Sequence, residues 1–464
     1  MAEYFMKEVR HPYIENSDIR LRAICNNRAK ELYGENIPKE IAERIEWEIS
    51  AIYRTGMTFA FVLLKELMDK NNLSGEDITL RGLSGGSLVL YLCGISNYNP
   101  MDFELTPYFT FGLEKDKWVD IDLNVPSSLQ EKVINSCKTL EGLVDAYRIE
   151  NHIGGVVYIP YGSNIEEVKP RDSENGGIRI ECNDYHTSNK IFYKQDILPQ
   201  DDVELAYNLL HRLNIDSKQI KLDDTDILSL FTSTIALGIT SDDISGVKYG
   251  VIGLPEFKYS ISMDMLEHIR INSFGDLVKL QGLLHGTETW FGNAEILLKE
   301  WIPLSDIIAT REDIFDYLVQ KGLSKKDAYR IAEQVRKGKG VSENDVKLMK
   351  ANDVPEWYIN SCKKIHYLFP RTHCISYALN LWKLAYFKIH YPKEFYEEYF
   401  KVYKFDGLSD AISKGYEALL EYVNKREQEY DPMKDDDEYH DNYLKEEYCI
   451  LVAKEMFARE RHFN

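Results

Sequence analysis

Two aspartates, Asp120 and Asp122, stand one residue apart inside the apolar, strand-like run "KWVDIDLNV" at residues 117–125. Side chains at i and i+2 of a strand share a face, about 7 Å apart along the chain. Like charges held that close repel and lose hydration, so the arrangement needs compensation. Two readings supply it. Either the strand lies at an exposed edge where water solvates both acids, or the pair holds divalent cations.

The rest of the chain limits the choice. Its 464 residues allow two or three domains, and an apolar content of 44% with 12% aromatics is that of a folded globular protein. No apolar run approaches the roughly 18 residues of a membrane span, and the start "MAEYFMKEVRHP" lacks the apolar core of a signal peptide. The seven cysteines are odd in number and never spaced C-x-x-C, which argues against a disulfide framework or a structural zinc site. A cytoplasmic protein without membrane contact is expected. The net charge of −20 argues against a general nucleic-acid coat. Part of that charge is local: Glu427 to Glu447 carries a net −8, leaving −12 elsewhere. Any site for nucleotides must be a local basic pocket.

Along the chain, Ile41, Ile45, Ile49 and Ile52 recur at helical spacing, and a second apolar helix follows a break at Gly56. "EDITLRG" reads as a short strand, then come the turn "LSGGS" and an apolar helix, "SLVLYLCGI". "PYFTFGLEKDKWVDIDLNV" reads as a hairpin whose second strand holds both acids. "GGVVYIP", "GIRIECN" and "NKIFYKQDIL" read as further strands. Beyond about residue 200 helices with short polar joints take over, so a mixed part precedes an α-helical part. The acidic stretch near 430 reads as a solvated loop or helix face before the last helix.

Several groups could share chemistry with the acid pair. In "SGGS" the backbone N–H groups of Gly85, Gly86 and Ser87 fall between a strand and a helix, where they suit an anion; a plain packing turn is the equal alternative. Arg81 stands just ahead of the turn. Asp196 ends a later strand-like run with Lys194 two residues before it. Three carboxylates and a phosphate cradle are what two-metal nucleotidyl transfer requires. Seven basic residues between Lys321 and Lys339, ending in "RKGKG" with Arg336, Lys337 and Lys339, suit a phosphate or simply close a helix. His285, Arg371 and His373 are additional candidates for contacts to a nucleotide, each with a plain core or capping alternative.

Long strings in one order go further than any single motif. "AKELYGENIPKEIAERIE", "RGLSGGSLVLYLCGI", "HIGGVVYIP", "GLLHGTETWFGNA", "DVPEWYINSCKKIHYLFPRTH" and "AYFKIHYPKEFY" resemble the catalytic core of the PolC-type DNA polymerase III alpha subunit. The resemblance implies an α+β fold, a polymerase-beta-like mixed-sheet palm followed by mostly helical fingers. It divides the chain into a helical part of the palm at 1–80, the palm with its acids at 81–200, fingers at 201–400 and a C-terminal helical, acidic segment at 401–464. It also implies that Asp120, Asp122 and Asp196 are the catalytic, metal-binding triad for two Mg²⁺ or Mn²⁺ ions. Gly86 and Ser87 would correspond to a phosphate-binding Gly-Ser, and Lys194 to a lysine ahead of the third aspartate.

The chain also departs from the family. The exonuclease, PHP and duplex- and clamp-binding regions are expected to be missing. Only 32 positions separate Asp122 from Gly154, where the family inserts its thumb. Ser260 and Met263 stand where the fingers carry arginines, and Gln195 replaces an apolar residue beside Asp196. The expected function is nucleotide addition to a 3′-OH, of DNA-directed DNA polymerase type, with a nucleoside triphosphate as substrate. Grip on primer–template DNA would be weak without a protein partner. The alternatives are a catalytically silent nucleotide-binding or regulatory protein and a template-independent transferase acting on another acceptor.

Overall fold

Ile41, Ile45, Ile49 and Ile52 turn one face of a helix inward, and the chain folds accordingly. The computed structural model describes residues 10–150, 152–163, 171–172, 178–181, 192–240, 242–434 and 436–463. Helices α1 (Ser17–Tyr33), α2 (Lys39–Arg54) and α3 (Thr58–Asn71) come first, and Gly56, at φ 71°, makes the corner between the last two. That left-handed φ carries little strain in glycine alone. Nearly every side of α3 is buried, which explains its continuous apolar sequence.

The chain divides into two compact units. The first comprises Met1–Tyr207 together with two short returning segments, Ser324–Arg330 and Pro370–Ser376. Its sheet contains β1 (Thr79–Arg81), β2 (Asp122–Pro126), β3 (Leu143–Glu150), β4 (Gly155–Pro160), β5 (Arg171–Asp172), β6 (Ile178–Glu181) and β7 (Lys194–Gln200). The spatial order is β1-β2-β7-β4-β3-β6-β5. β2 runs parallel to β7 and antiparallel to β1, while β4 is antiparallel to both β7 and β3. β2 is therefore an interior strand, buried at Leu123, Asn124 and Val125 on both faces. Asn124 meets its amide requirement by bonding Thr79 Oγ1 at 3.1 Å.

Short helices α4 (Leu88–Leu92), α5 (Tyr108–Phe111) and α6 (Gln130–Cys137) complete the first unit, and α7 (Asp201–Leu213) leads out of it. The expected hairpin before the acids is not formed. Tyr108–Phe111 is a single helical turn closed by Gly112 at φ 94°, and the antiparallel neighbour of β2 is β1. Tertiary packing overrides the β-type composition of "YFTF" here. The rings of Tyr108 and Phe111 each meet Trp47 of α2 edge-on at 6.1 Å, and Phe109 lies on Tyr329 at 5.0 Å. Between Asp122 and Gly154 the described residues form the rest of β2, a turn at Ser127–Leu129, α6 and β3.

The second unit comprises Asn208–Leu323, Ile331–Phe369 and Tyr377–Asn464, and its described elements are helical. At its centre Lys388 and Glu455, both fully buried, pair at 2.7 Å, and burial lowers the Lys388 ammonium to about 8. Among its described residues, the acidic stretch is mostly helix face, one of the two readings its composition offers. It ends the helix Tyr416–Glu429, turns, and begins Asp437–Phe463, with Tyr430 stacked on Tyr443 at 3.7 Å and Arg426 lying over the Tyr443 ring at 4.2 Å. No helix among the described residues is long and apolar enough to cross a membrane.

Candidate active site

The parallel pairing of β2 with β7 brings distant acids together. Leu123 is in register with Ile197, so the preceding residues Asp122 and Asp196 stand side by side on neighbouring strands. Asp120 is not on the strand. It lies exposed in the lead-in, two residues before β2 begins at Asp122. The same-face strand argument therefore fails for Asp120, yet its charge still reaches Asp122. Burial chiefly, then Asp120 and Asp196, push the Asp122 carboxyl up from 3.8 to about 7, while Lys194 and Arg81 pull it down. Arg81 acts from β1, in register opposite Asp122.

Lys194 shares the Asp196 face of β7, and its Nζ reaches Asp196 Oδ2 at 2.5 Å. Gln195, on the other face and almost fully buried, donates its amide to the carbonyl of Ile121, between Asp120 of the lead-in and Asp122 of β2. It receives the Tyr193 hydroxyl at 3.1 Å. A polar residue beside Asp196 thus ties the lead-in of β2 to β7. On the far side of β7, Gly155 of β4 is in register with Asp196. A Cβ on Gly154 would lie 2.3 Å from the carbonyl oxygen of Ile197, so the backbone approaches here too closely for any side chain. Gly154→Ala is expected to wedge β4 from β7 at a cost of about 1–3 kcal/mol, read as a lower urea midpoint; an unchanged midpoint would mean the strands separate freely.

The glycine turn is built from within. Residues Ser84–Gly86 form one 3-10 turn, Ser87 caps α4, and Gly85, Gly86 and Ser87 are all buried. The N–H groups of Gly86 and Ser87 donate back to Leu83 and Ser84. Those of Leu88 and Val89 both bond the carboxylate of Glu48 at 3.1 Å, which also takes the Ser87 hydroxyl at 2.9 Å. The start of α4 already holds an internal anion. Arg44, one helical turn before Glu48, pairs with it at 2.5 Å and donates to the carbonyls of Gly86 at 2.8 Å and Leu105 at 2.9 Å.

The segment Pro370–Ser376 closes over this turn. Thr372 Oγ1 bonds the Gly82 carbonyl at 2.6 Å, and the Gly82 N–H donates to His373 Nδ1 at 3.3 Å. His373 is therefore almost fully buried against the turn, with half-buried Arg371 two residues before it at the helix start. The other sequence candidates lie in the second unit. His285 ends the helix Phe274–His285, its Nε2 3.9 Å from Glu256 Oε1 and its ring between Phe369 and Tyr377. Arg336 grips Glu333 through two bonds of 3.1 and 3.0 Å, and Arg311 and Lys337 reach the same acid at 3.1 and 3.5 Å. One glutamate thus engages Arg336 and Lys337 of the basic run, while Lys339 remains exposed.

Glu48 and His152 were missed by the sequence reading. Glu48 had a signal: it interrupts the isoleucine stripe of α2 at Ile45, Ile49 and Ile52, where a buried acid must have a partner. His152 opens the string "HIGGVVYIP", and its Nε2 is 3.9 Å from Asp196 Oδ1.

The residues at the strand ends suit divalent cations. Asp122 Oδ1 and Asp196 Oδ1 are both buried and accept no hydrogen bond, a costly state for carboxylate oxygens that a cation relieves. Among the described residues no three acidic, His or Cys side chains converge closely enough to hold an ion as they stand.

A mixed sheet with paired acids at its centre, joined to a helical unit, is the palm-and-fingers class of polymerase core. Residues 19–154 match the bacterial DNA polymerase III alpha NTPase domain, and residues 202–353 match the finger domain of the same subunit. The DNA polymerase III PolC-type of Caldanaerobacter subterraneus subsp. tengcongensis is 31% identical over 90% of this chain and 36% of that protein. Those of Clostridium perfringens and Bacillus subtilis are 32% and 30% identical over 88% and 89% of the chain. The chain belongs to the bacterial DNA polymerase III alpha family, among its PolC-type members, and spans about a third of the length of these relatives.

Proposed function

We propose that the chain is a PolC-like nucleotidyltransferase that adds nucleotides to a 3′-hydroxyl, with Asp120, Asp122 and Asp196 holding two Mg²⁺ or Mn²⁺ ions. The observation that carries this reading is the pair of buried carboxylate oxygens without partners, Asp122 Oδ1 and Asp196 Oδ1, on adjacent parallel strands. Bound there, the ions would acidify the attacking hydroxyl and screen the pyrophosphate leaving group. The side chains do the rest. Lys194, now on Asp196, is the cation able to turn to a triphosphate, and Arg81 stands opposite Asp122 for the same purpose. Gly85, Gly86 and Ser87 shape the wall of the site, stiffened from behind by Glu48 and Arg44, and His373 and Arg371 border it. His285, Arg336, Lys337 and Lys339 are proposed nucleotide contacts of the finger domain.

The relatives' name supports DNA as template and product. Phosphate contacts carry most DNA affinity. A chain of net charge −20, with only α6 and β3 where the family places a thumb, is proposed to bind duplex weakly and to rely on a protein partner. The test is extension of a labelled primer on a template with each deoxynucleotide and Mg²⁺ or Mn²⁺. Templated extension is the expected result. Extension that ignores the template, or nucleotide binding with no extension even with partners from the source cell, would overturn it.

A further inference from the structure

Ahead of β4 the chain reads His152-Ile153-Gly154, with Gly155 opening the strand, and His152 and the two glycines have a geometric task. His152 Nδ1 accepts the N–H of Gly155 at 2.9 Å and approaches that of Gly154 at 3.4 Å. An accepting Nδ1 assigns the ring proton to Nε2. A Cβ on Gly155 would stand 2.9 Å from Nδ1 and 3.1 Å from Cγ of the imidazole, and one on Gly154 would strike the carbonyl of Ile197. Both glycines are thus required for the ring to lie flat on β4 and for β4 to lie close on β7. The Ile153 side chain, 75% exposed, takes no part, while its carbonyl accepts the Gln130 amide at 2.9 Å.

The ring so placed faces Asp196. Its Nε2 lies 3.9 Å from Asp196 Oδ1, the buried oxygen that accepts no hydrogen bond, while Oδ2 is held by Lys194. We propose that His152 is a positioning residue for the Asp196 carboxylate: its Nε2–H takes one lone pair of Oδ1 and sets the rotation of the carboxylate, so that the second lone pair of Oδ1, and Oδ2 once Lys194 turns to a phosphate, face a divalent cation. The inference rests on Asp196 being a cation ligand. Partners of this kind orient the ligand and are worth about 10–100-fold in metal affinity.

The two ring nitrogens have different tasks, and that separates a positioning role from a structural one. A glutamine at 152 places an amide donor near the Nε2 position but loses the acceptor for Gly155. An asparagine keeps the acceptor and loses the donor. Binding of Mn²⁺ alone, by calorimetry, is to be measured on the wild-type chain and on His152→Ala, His152→Gln and His152→Asn, each with its metal-free melting temperature. We expect His152→Ala and His152→Asn to weaken Mn²⁺ binding about 10-fold or more, and His152→Gln to stay within about threefold of wild type. Recovery by asparagine rather than glutamine, or wild-type affinity in the alanine variant, would overturn the proposal. Absence of Mn²⁺ binding by the wild-type chain would instead overturn the reading of the acids on which it rests.

Discussion

Asp122→Asn is expected to abolish nucleotide incorporation and, at the same time, to stabilise the metal-free chain above pH 7. On the proposed function, the activity loss follows from removing one of the three carboxylates that would hold the ions, several kcal/mol of transition-state stabilisation or at least about 10³-fold in rate. The stability gain follows from the raised carboxyl. Below pH 4 Asp122 is protonated in both the folded and unfolded chain, so it contributes no difference. Between about 4 and 7 the folded chain keeps the proton that the unfolded chain has lost, and stability falls as pH rises. Above 7 the folded chain carries the full penalty of a buried anion beside Asp120 and Asp196. The rise from 3.8 to about 7 corresponds to at most about 4 kcal/mol, and partial exposure reduces the expected gain to about 1–2 kcal/mol. Urea denaturation of both chains with chelator at pH 4, 6 and 8 checks it. The difference should be near zero at pH 4 and largest at pH 8. A difference independent of pH would show that Asp122 is no more strained than an ordinary surface acid. Ligand residues that destabilise their own fold are the usual trade of stability for function.

Glu48→Ala should have the larger effect on folding. The substitution leaves Arg44 charged and buried, and strips the Ser87 hydroxyl and the Leu88 and Val89 N–H groups of their acceptor. Breaking a buried pair from one side costs about 3–5 kcal/mol, a large part of the stability of an ordinary domain. The expected result is a chain that expresses poorly or melts well below wild type. Arg44→Ala should cost a similar amount, and the double variant less than the sum, because each single exchange strands the other charge. Additive losses would mean that the two residues act independently and that the turn is held by something else.

The helices of the first unit were legible because their apolar spacing is a local property. Ile41, Ile45, Ile49 and Ile52 predict α2, and Gly56 predicts the corner. The short strands around Leu80, Leu123, Val157 and Ile197 were legible for the same reason. The hairpin before the acids was misread. "YFTF" has strand-like composition, and only the packing of Tyr108 and Phe111 on Trp47 makes it a helical turn.

The acids were legible as residue types and as a family pattern, but not as a geometry. The strand rule placed Asp120 and Asp122 on one face, whereas Asp120 lies ahead of the strand and the true neighbour of Asp122 is Asp196. Nothing local specifies that pairing, because a parallel neighbour is set by the crossover between strands and not by either strand alone. The role of Glu48 as an internal anion, and the reach of His152 to Asp196, are decided the same way. By itself the sequence determined many of the elements, the family and the presence of three acids and a lysine, since each is written in spacing along the chain, whereas β3, α6 and the turn at Tyr108–Phe111 were not read from it. Only the tertiary structure decided which charges meet, because burial and distance, which set their energies, exist only once the sheet has closed.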